Sequence, residues 1–132
     1  EMVLSFNSRF RSDQCKPIVI DSNVIERVKI FKLLGVFFSA DLSWRQHVRY
    51  ITAKANKRVF VIYQLVRNGF ASAEIIKVYC SLVRPTLEYA SPVWHCGLTQ
   101  VLSDDIEAVQ RRCLRIIFHF CRTMMLCGYS CV

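Results

Sequence analysis

Glycine is scarce in this chain: four residues in 132, none close enough to another to build a phosphate loop. That excludes the Gly-rich turns by which P-loop and dinucleotide-binding folds bring backbone N–H groups onto a phosphate. A Gly-x-Ser-x-Gly sequence is also missing, so the nucleophile elbow of an α/β-hydrolase is not expected. There is no Cys-x2-Cys pair, the commonest half-site of structural zinc. There is no His-x-Asp iron pair either, since His47, His95 and His119 are followed two places on by Arg49, Gly97 and Cys121. The longest stretch free of Lys, Arg, Asp and Glu runs from Tyr89 to Ser103 and holds Pro92, His95 and Gln100. It falls short of the about 20 apolar residues that span a bilayer. With neither a transmembrane segment nor a signal peptide in view, an intracellular place is expected, cytoplasmic or nuclear. Glu1 in place of an initiating Met makes the chain look like a piece of something longer.

Acidic residues are the other shortage. Ten Asp+Glu face 18 Lys+Arg, a formal charge of +8. An excess of that size points to a polyanionic partner. The hydrophobic fraction of 53% is enough to bury a core. Seven cysteines, an odd number without a secretory signal, read as reduced thiols packing as small hydrophobes. The spacing His119-x-Cys121-x5-Cys127-x3-Cys131 is not a zinc pattern, so no metal site is expected.

The chain changes period near residue 44, which predicts an α+β fold: a small antiparallel sheet of short strands over about 1–40, then a three-helix bundle over about 44–120. Met2–Phe6 is a short apolar run suited to a buried strand, and 7–16 is a polar loop with Arg9 and Arg11. Pro17–Val28 reads as a hairpin turning at Asp21-Ser22-Asn23, residues that tolerate left-handed backbone. Phe31–Ser39 reads as one further strand with Gly35 as a bulge or close-approach point. Val48, Ile51, Ala55, Val59, Ile62, Tyr63 and Val66 then recur at helical spacing, with a Ser43 cap and an Asn68-Gly69 stop. A second helix begins at a Ser72 cap, carries Ile75, Ile76, Tyr79, Leu82 and Val83, and must break or kink at Pro85. Its pattern resumes at Leu87, Ala90, Val93 and Trp94. A third helix is expected from a Ser103 cap, with Asp104, Asp105 and Glu107 in the first turn. That place accounts for the Asp104-Asp105 pair through the helix dipole rather than through metal catalysis. Its apolar stripe is Ile106, Val109, Cys113, Ile116 and Ile117. Residues 121–132 lose all period and are expected to form a divergent, poorly ordered tail.

The strongest functional signal is electrostatic. From Arg45 to Arg67 there are six Lys and Arg and no Asp or Glu. Arg45, Arg49, Lys54, Lys57 and Arg58 are therefore the candidate phosphate contacts, on a cationic face opposite an apolar one. A structural helix usually mixes signs, because like charges one turn apart repel. Trp44, Trp94 and the tyrosines have faces that stack on bases, but their helical spacing beside Leu and Val favours the core.

Phe31-Lys32-Leu33-Leu34-Gly35-Val36 and Asp41-Leu42-Ser43-Trp44, followed by Lys54-Ala55-Asn56-Lys57-Arg58, resemble the reverse transcriptases of non-LTR (LINE-type) retrotransposons. Tyr79–Trp94, with Arg84-Pro85-Thr86-Leu87-Glu88-Tyr89-Ala90, and Ile106–Ile117 continue that likeness, which covers roughly 1–118. The resemblance implies that 1–43 is the end of a polymerase palm, with Phe31, Leu34, Gly35 and Val36 in a primer-grip-like hairpin. It implies that 44–120 is a thumb holding RNA/DNA duplex by its phosphate backbone. The family's catalytic Ala-Asp-Asp motif has no counterpart here, so the chain is expected to be inactive alone. Its implied divalent metal would sit in upstream polymerase domains, which would also be its protein partner. The competing reading is a degenerate remnant without a ligand, or a helical protein-interaction module.

Overall fold

The computed structural model describes residues 1–4 and 15–126, with side chains through 118. The fold is α+β, as the change of period predicts. Four short strands come first: β1 (Val19–Ile20), β2 (Asn23–Val24), β3 (Ile30–Leu33) and β4 (Val36–Ser39). The helices are α1 (Arg45–Arg67), α2 (Ser72–Val78), α3 (Arg84–Glu88), α4 (Ser91–Trp94) and α5 (Gln100–Leu126). The second expected helix is thus divided, and its pieces pack with α5 around α1.

The strands form two separate antiparallel pairs, β1 with β2 and β3 with β4. In the first, Val19 faces Val24 and Ile20 faces Asn23 across a two-residue turn. Asp21 and Ser22 both take positive φ (49° and 67°), whose twist matches a tight hairpin. The second pair corrects the expectation of one strand over Phe31–Ser39. The chain reverses at Leu34 and Gly35, with φ of 48° and 86°, so Gly35 is a turn residue and not a bulge. Phe31 comes opposite Phe38, and Leu33 opposite Val36. Leu34 carries no local signal for such a turn; left-handed backbone costs a Cβ-bearing residue about 1–2 kcal/mol. A distant residue supports it, because the Tyr89 hydroxyl donates to the Leu34 carbonyl at 3.0 Å. Met2–Leu4 take no strand conformation, and the rest of that expected strand lies outside the described residues, as does most of the 7–16 loop with Arg9 and Arg11.

Only β4 turns inward: Val36 joins the core, whereas β1, β2 and β3 are exposed throughout. The core is otherwise helical. Val48, Ile51, Ala55, Val59, Ile62 and Val66 of α1 meet Ile75, Tyr79, Val83, Leu87 and Trp94 on one side and Val109, Cys113 and Ile117 of α5 on the other. Three residues assigned inward by periodicity are exposed: Tyr63, Leu82 and Val93. Tyr63 sits at the edge of the stripe, and Leu82 and Val93 flank proline breaks that change the local phase.

The helix ends differ from the expected caps. Trp44 stands at the N-cap of α1 without a side-chain bond, and Ser43 donates its N–H to Asp41 Oδ1 at 3.1 Å in the preceding turn. Ser72 is already helical, with Ala71 before it. α5 starts three residues before Ser103, at Gln100, and its first turn holds no acid, so Asp104 and Asp105 lie in the second. The α1 stop is as expected. Gly69 at φ 77° donates to the Val66 carbonyl and Phe70 to that of Leu65, the paired bonds of a Schellman end. The α5 backbone runs on to Leu126, into the segment expected to be a poorly ordered tail; 127–132 lie outside the described residues.

Pro85 acts as its chemistry requires. Without an N–H it leaves the preceding turn short of a donor, and the chain answers with a π-helical stretch over Tyr79–Val83 before α3 resumes with Pro85 in its first turn. Gly97 serves close packing. A Cβ there would lie 2.5 Å from the indole Nε1 of Trp44, itself buried against Phe38. Gly97→Ala is therefore expected to displace the indole and cost about 1–3 kcal/mol, read as a lower urea midpoint with unchanged slope.

Candidate nucleic-acid interface

Of the five candidate phosphate contacts, Arg45, Arg49, Lys54 and Lys57 are exposed on α1. The described ion pairs are Arg27–Glu1, Arg84–Glu88 and Arg111–Glu107, and none involves α1. At about 100° per residue these side chains spread round the solvent side of the helix. Arg45 and Arg49 fall on the side facing α5, where Arg112 Nη1 donates to Asn56 Oδ1 at 3.4 Å and adds a cation to that edge. Lys57 points outermost. Lys54 falls on the opposite flank, towards the β3–β4 turn and α3.

Arg58 is placed differently. Half-buried, its Nη1 donates to the Leu82 carbonyl at 2.5 Å and to the Thr86 hydroxyl. Thr86 in turn donates to the same carbonyl at 2.9 Å. Arg58 thus ties α1 to the turn beside Pro85, where the helical ladder is disturbed. The face is also less uniform than its charges imply. In its second half Phe60, Val61 and Tyr63 are exposed, and Arg67 lies 5.8 Å from the Tyr63 ring centroid.

The primer-grip-like residues divide as well. Phe31 is exposed on β3 and Val36 is buried. Leu34 and Gly35 form the turn, and that turn meets Lys54 and Arg58 across a cleft of about 340 Å³ between the hairpin, α1 and α3. The chain matches no protein-family model, no curated protein and no solved structure.

Three cleft residues, Tyr50, Tyr89 and His47, are not among the candidates that the sequence singles out. Tyr50 sits inside the basic segment but reads there as a spacer. Its ring lies 4.9 Å from Lys32 Nζ and 5.9 Å from Lys54 Nζ, with Phe37 packed edge-on at 5.0 Å. Tyr89 closes the far wall through its bond to Leu34. His47 lies at the floor, 1% exposed, packed edge-on against Trp94 at 5.3 Å. The Phe37 N–H donates to its Nδ1 at 3.4 Å, which places the imidazole proton on Nε2, and that atom has no partner among the described residues.

Burial pushes the His47 imidazole below its ordinary 6.5 and keeps it neutral. In the unfolded chain it titrates near 6.5, so below that pH the unfolded state takes up a proton that the folded state refuses. Stability is therefore expected to fall as pH drops below 6.5, by up to about 1.4 kcal/mol per pH unit, until the folded pKa is reached. Urea midpoints between about pH 7 and pH 5 measure this slope, and His47→Gln should flatten it.

Among the described residues no group of three or more His, Cys, Asp or Glu is arranged to hold a metal. Cys80 and Cys96 are exposed, Cys15 is half-buried, and burial raises the Cys113 thiol. The side chains of His119 and Cys121, and all of Cys127 and Cys131, lie outside the described residues. No described helix is long and apolar enough to cross a membrane.

Proposed function

We propose that this chain holds a nucleic-acid duplex through phosphate contacts on the solvent face of α1, as the thumb-side part of a reverse-transcriptase-like polymerase. The observation that carries it is a 23-residue helix with no acid, whose exposed cations have no carboxylate partner among the described residues. Such a surface supplies affinity without reading sequence. Arg45, Arg49 and Lys57 are its central contacts, with Lys54 and Arg112 at the two flanks. Arg58 holds the helices that present them. In this reading the chemistry and its divalent metal belong to other polymerase domains, and the chain alone extends no primer.

Titration of an RNA–DNA duplex with the chain tests this. With about four phosphates neutralised, affinity is expected to drop roughly a hundredfold between about 50 and 200 mM salt, with little change between duplex sequences. Absence of binding at the low salt, or binding insensitive to salt, refutes it. Metal-dependent primer extension by the chain alone would refute its inertness.

A second reading, association with protein, rests on the hairpins. Ile18, Val19, Ile20, Val24, Ile30 and Phe31 are all exposed there. Apolar strand faces of this kind are ordinarily covered by a further layer. The two readings combine if that layer is the palm of the same polymerase.

A further inference from the structure

We propose that the cleft between the β3–β4 turn, α1 and α3 binds a nucleoside monophosphate group, with the phosphate between Lys32 and Lys54 and the base along Tyr50. Lys54 flanks both surfaces, but Lys32, Tyr50 and the cleft walls have no part in the outer face of α1, and Arg45, Arg49 and Lys57 have none in the cleft, so the site is tested separately from duplex binding.

Two ammonium groups share one aromatic ring. Lys32 Nζ and Lys54 Nζ lie 4.9 and 5.9 Å from the Tyr50 centroid, and neither has a carboxylate partner among the described residues. The ring attracts each cation, but the cations repel one another. A phosphate dianion between them removes that repulsion and adds charge-assisted hydrogen bonds to both. Sequence alone does not bring this pair together, since Lys32 is on β3 and Lys54 on α1.

The cleft beside this pair has the size and walls for the rest of such a ligand. At about 340 Å³ it lies in the range of small-molecule sites, and none of its lining residues is acidic. Tyr50, Tyr89, Pro85 and Leu34 supply flat apolar surfaces, and aromatic rings are the usual platforms for bases. The Thr86 hydroxyl is also present at the wall. His47 lines the floor, and its buried Nε2–H has no acceptor among the described residues. Buried polar groups are rarely left unpaired, and a ligand oxygen or ring nitrogen reaching the floor supplies what it lacks.

The monophosphate has two sources, a free nucleotide or the 5′-phosphorylated end of a strand. The full chain, labelled at histidine, is titrated with AMP, adenosine, inorganic phosphate and a 5′-phosphorylated dinucleotide while the His47 ring resonances are followed by NMR. AMP is expected to give a saturable shift, with adenosine and inorganic phosphate each at least about tenfold weaker, and Lys32→Gln is expected to weaken AMP by about tenfold. Lys32 is an exposed strand residue, so this variant folds, whereas Tyr50→Leu also tests the stacking wall. No saturable shift with AMP overturns the proposal, as does equal binding of adenosine or phosphate, or an unchanged affinity in Lys32→Gln. Binding of the dinucleotide as tightly as AMP supports the site with a strand end as ligand. Binding of AMP alone supports it with the free nucleotide. Arg49→Glu/Lys57→Glu should keep AMP binding and Lys32→Gln should keep duplex binding, which separates failure of one reading from failure of the other.

Discussion

Replacing Arg49 and Lys57 together by Glu is expected to weaken duplex binding by at least about a hundredfold near 100 mM salt and to make the salt dependence shallower by about two contacts' worth. The two positions isolate electrostatics from folding. Both are exposed, and neither side chain has a hydrogen-bond or ion-pair partner among the described residues. Each substitution removes one phosphate contact and brings a carboxylate towards a polyanion, so the loss exceeds that of two neutral substitutions. Far-UV circular dichroism should be unchanged, because Glu is as good a helix former as Arg or Lys. If affinity and salt dependence both survive in a folded double variant, the α1 face is not the binding surface.

The second large effect concerns stability. Arg58→Ala is expected to destabilise the fold by about 2–3 kcal/mol, against at most about 0.5 kcal/mol for Lys57→Ala next to it. The difference lies in what each side chain does. Lys57 stands in solvent. Arg58 donates to the Leu82 carbonyl and to the Thr86 hydroxyl, in the turn that carries Pro85. Removing the guanidinium leaves Thr86 as the side-chain donor to that carbonyl and opens the joint between α1 and the π-helical stretch. Arg58→Lys should recover only part of the loss, because an ammonium cannot place two fixed donors as a guanidinium fork does. Urea midpoints for the three variants decide the matter; equal midpoints for Arg58→Ala and Lys57→Ala would show that the joint carries no stability. A charge-reversal series that included Arg58 would mix unfolding with lost binding, which is why Arg49 and Lys57 are the informative pair.

What the sequence determined by itself is local. The 3.6-residue stripe of Val48, Ile51, Ala55, Val59, Ile62 and Val66 marks α1 and its buried face, because side chains three and four apart share one side of a helix. Asn68-Gly69 marks its end and Asp21-Ser22 the first hairpin, since both depend on backbone preferences of the residues themselves. The lack of acid between Arg45 and Arg67 marks the cationic face without any knowledge of its neighbours.

Tertiary structure alone decided the remainder, wherever the cause lies far along the chain. Leu34-Gly35 turns back on itself with the support of a hydroxyl 55 residues away, so a run of Phe, Leu and Val that reads as one strand becomes two. Arg58 looks like any other cation of α1 until Leu82 and Thr86 are brought beside it. His47 reads as a polar residue near a helix start, yet Trp94 and Phe37 close over it and leave one donor without a partner among the described residues. Lys32 and Lys54, 22 positions apart, become a pair only because β4 packs on α1 with β3 beside it, so that both ammonium groups reach the Tyr50 ring. Periodicity and charge report the face that a residue occupies. Which distant groups meet on that face depends on how the elements pack, and no short-range pattern encodes it.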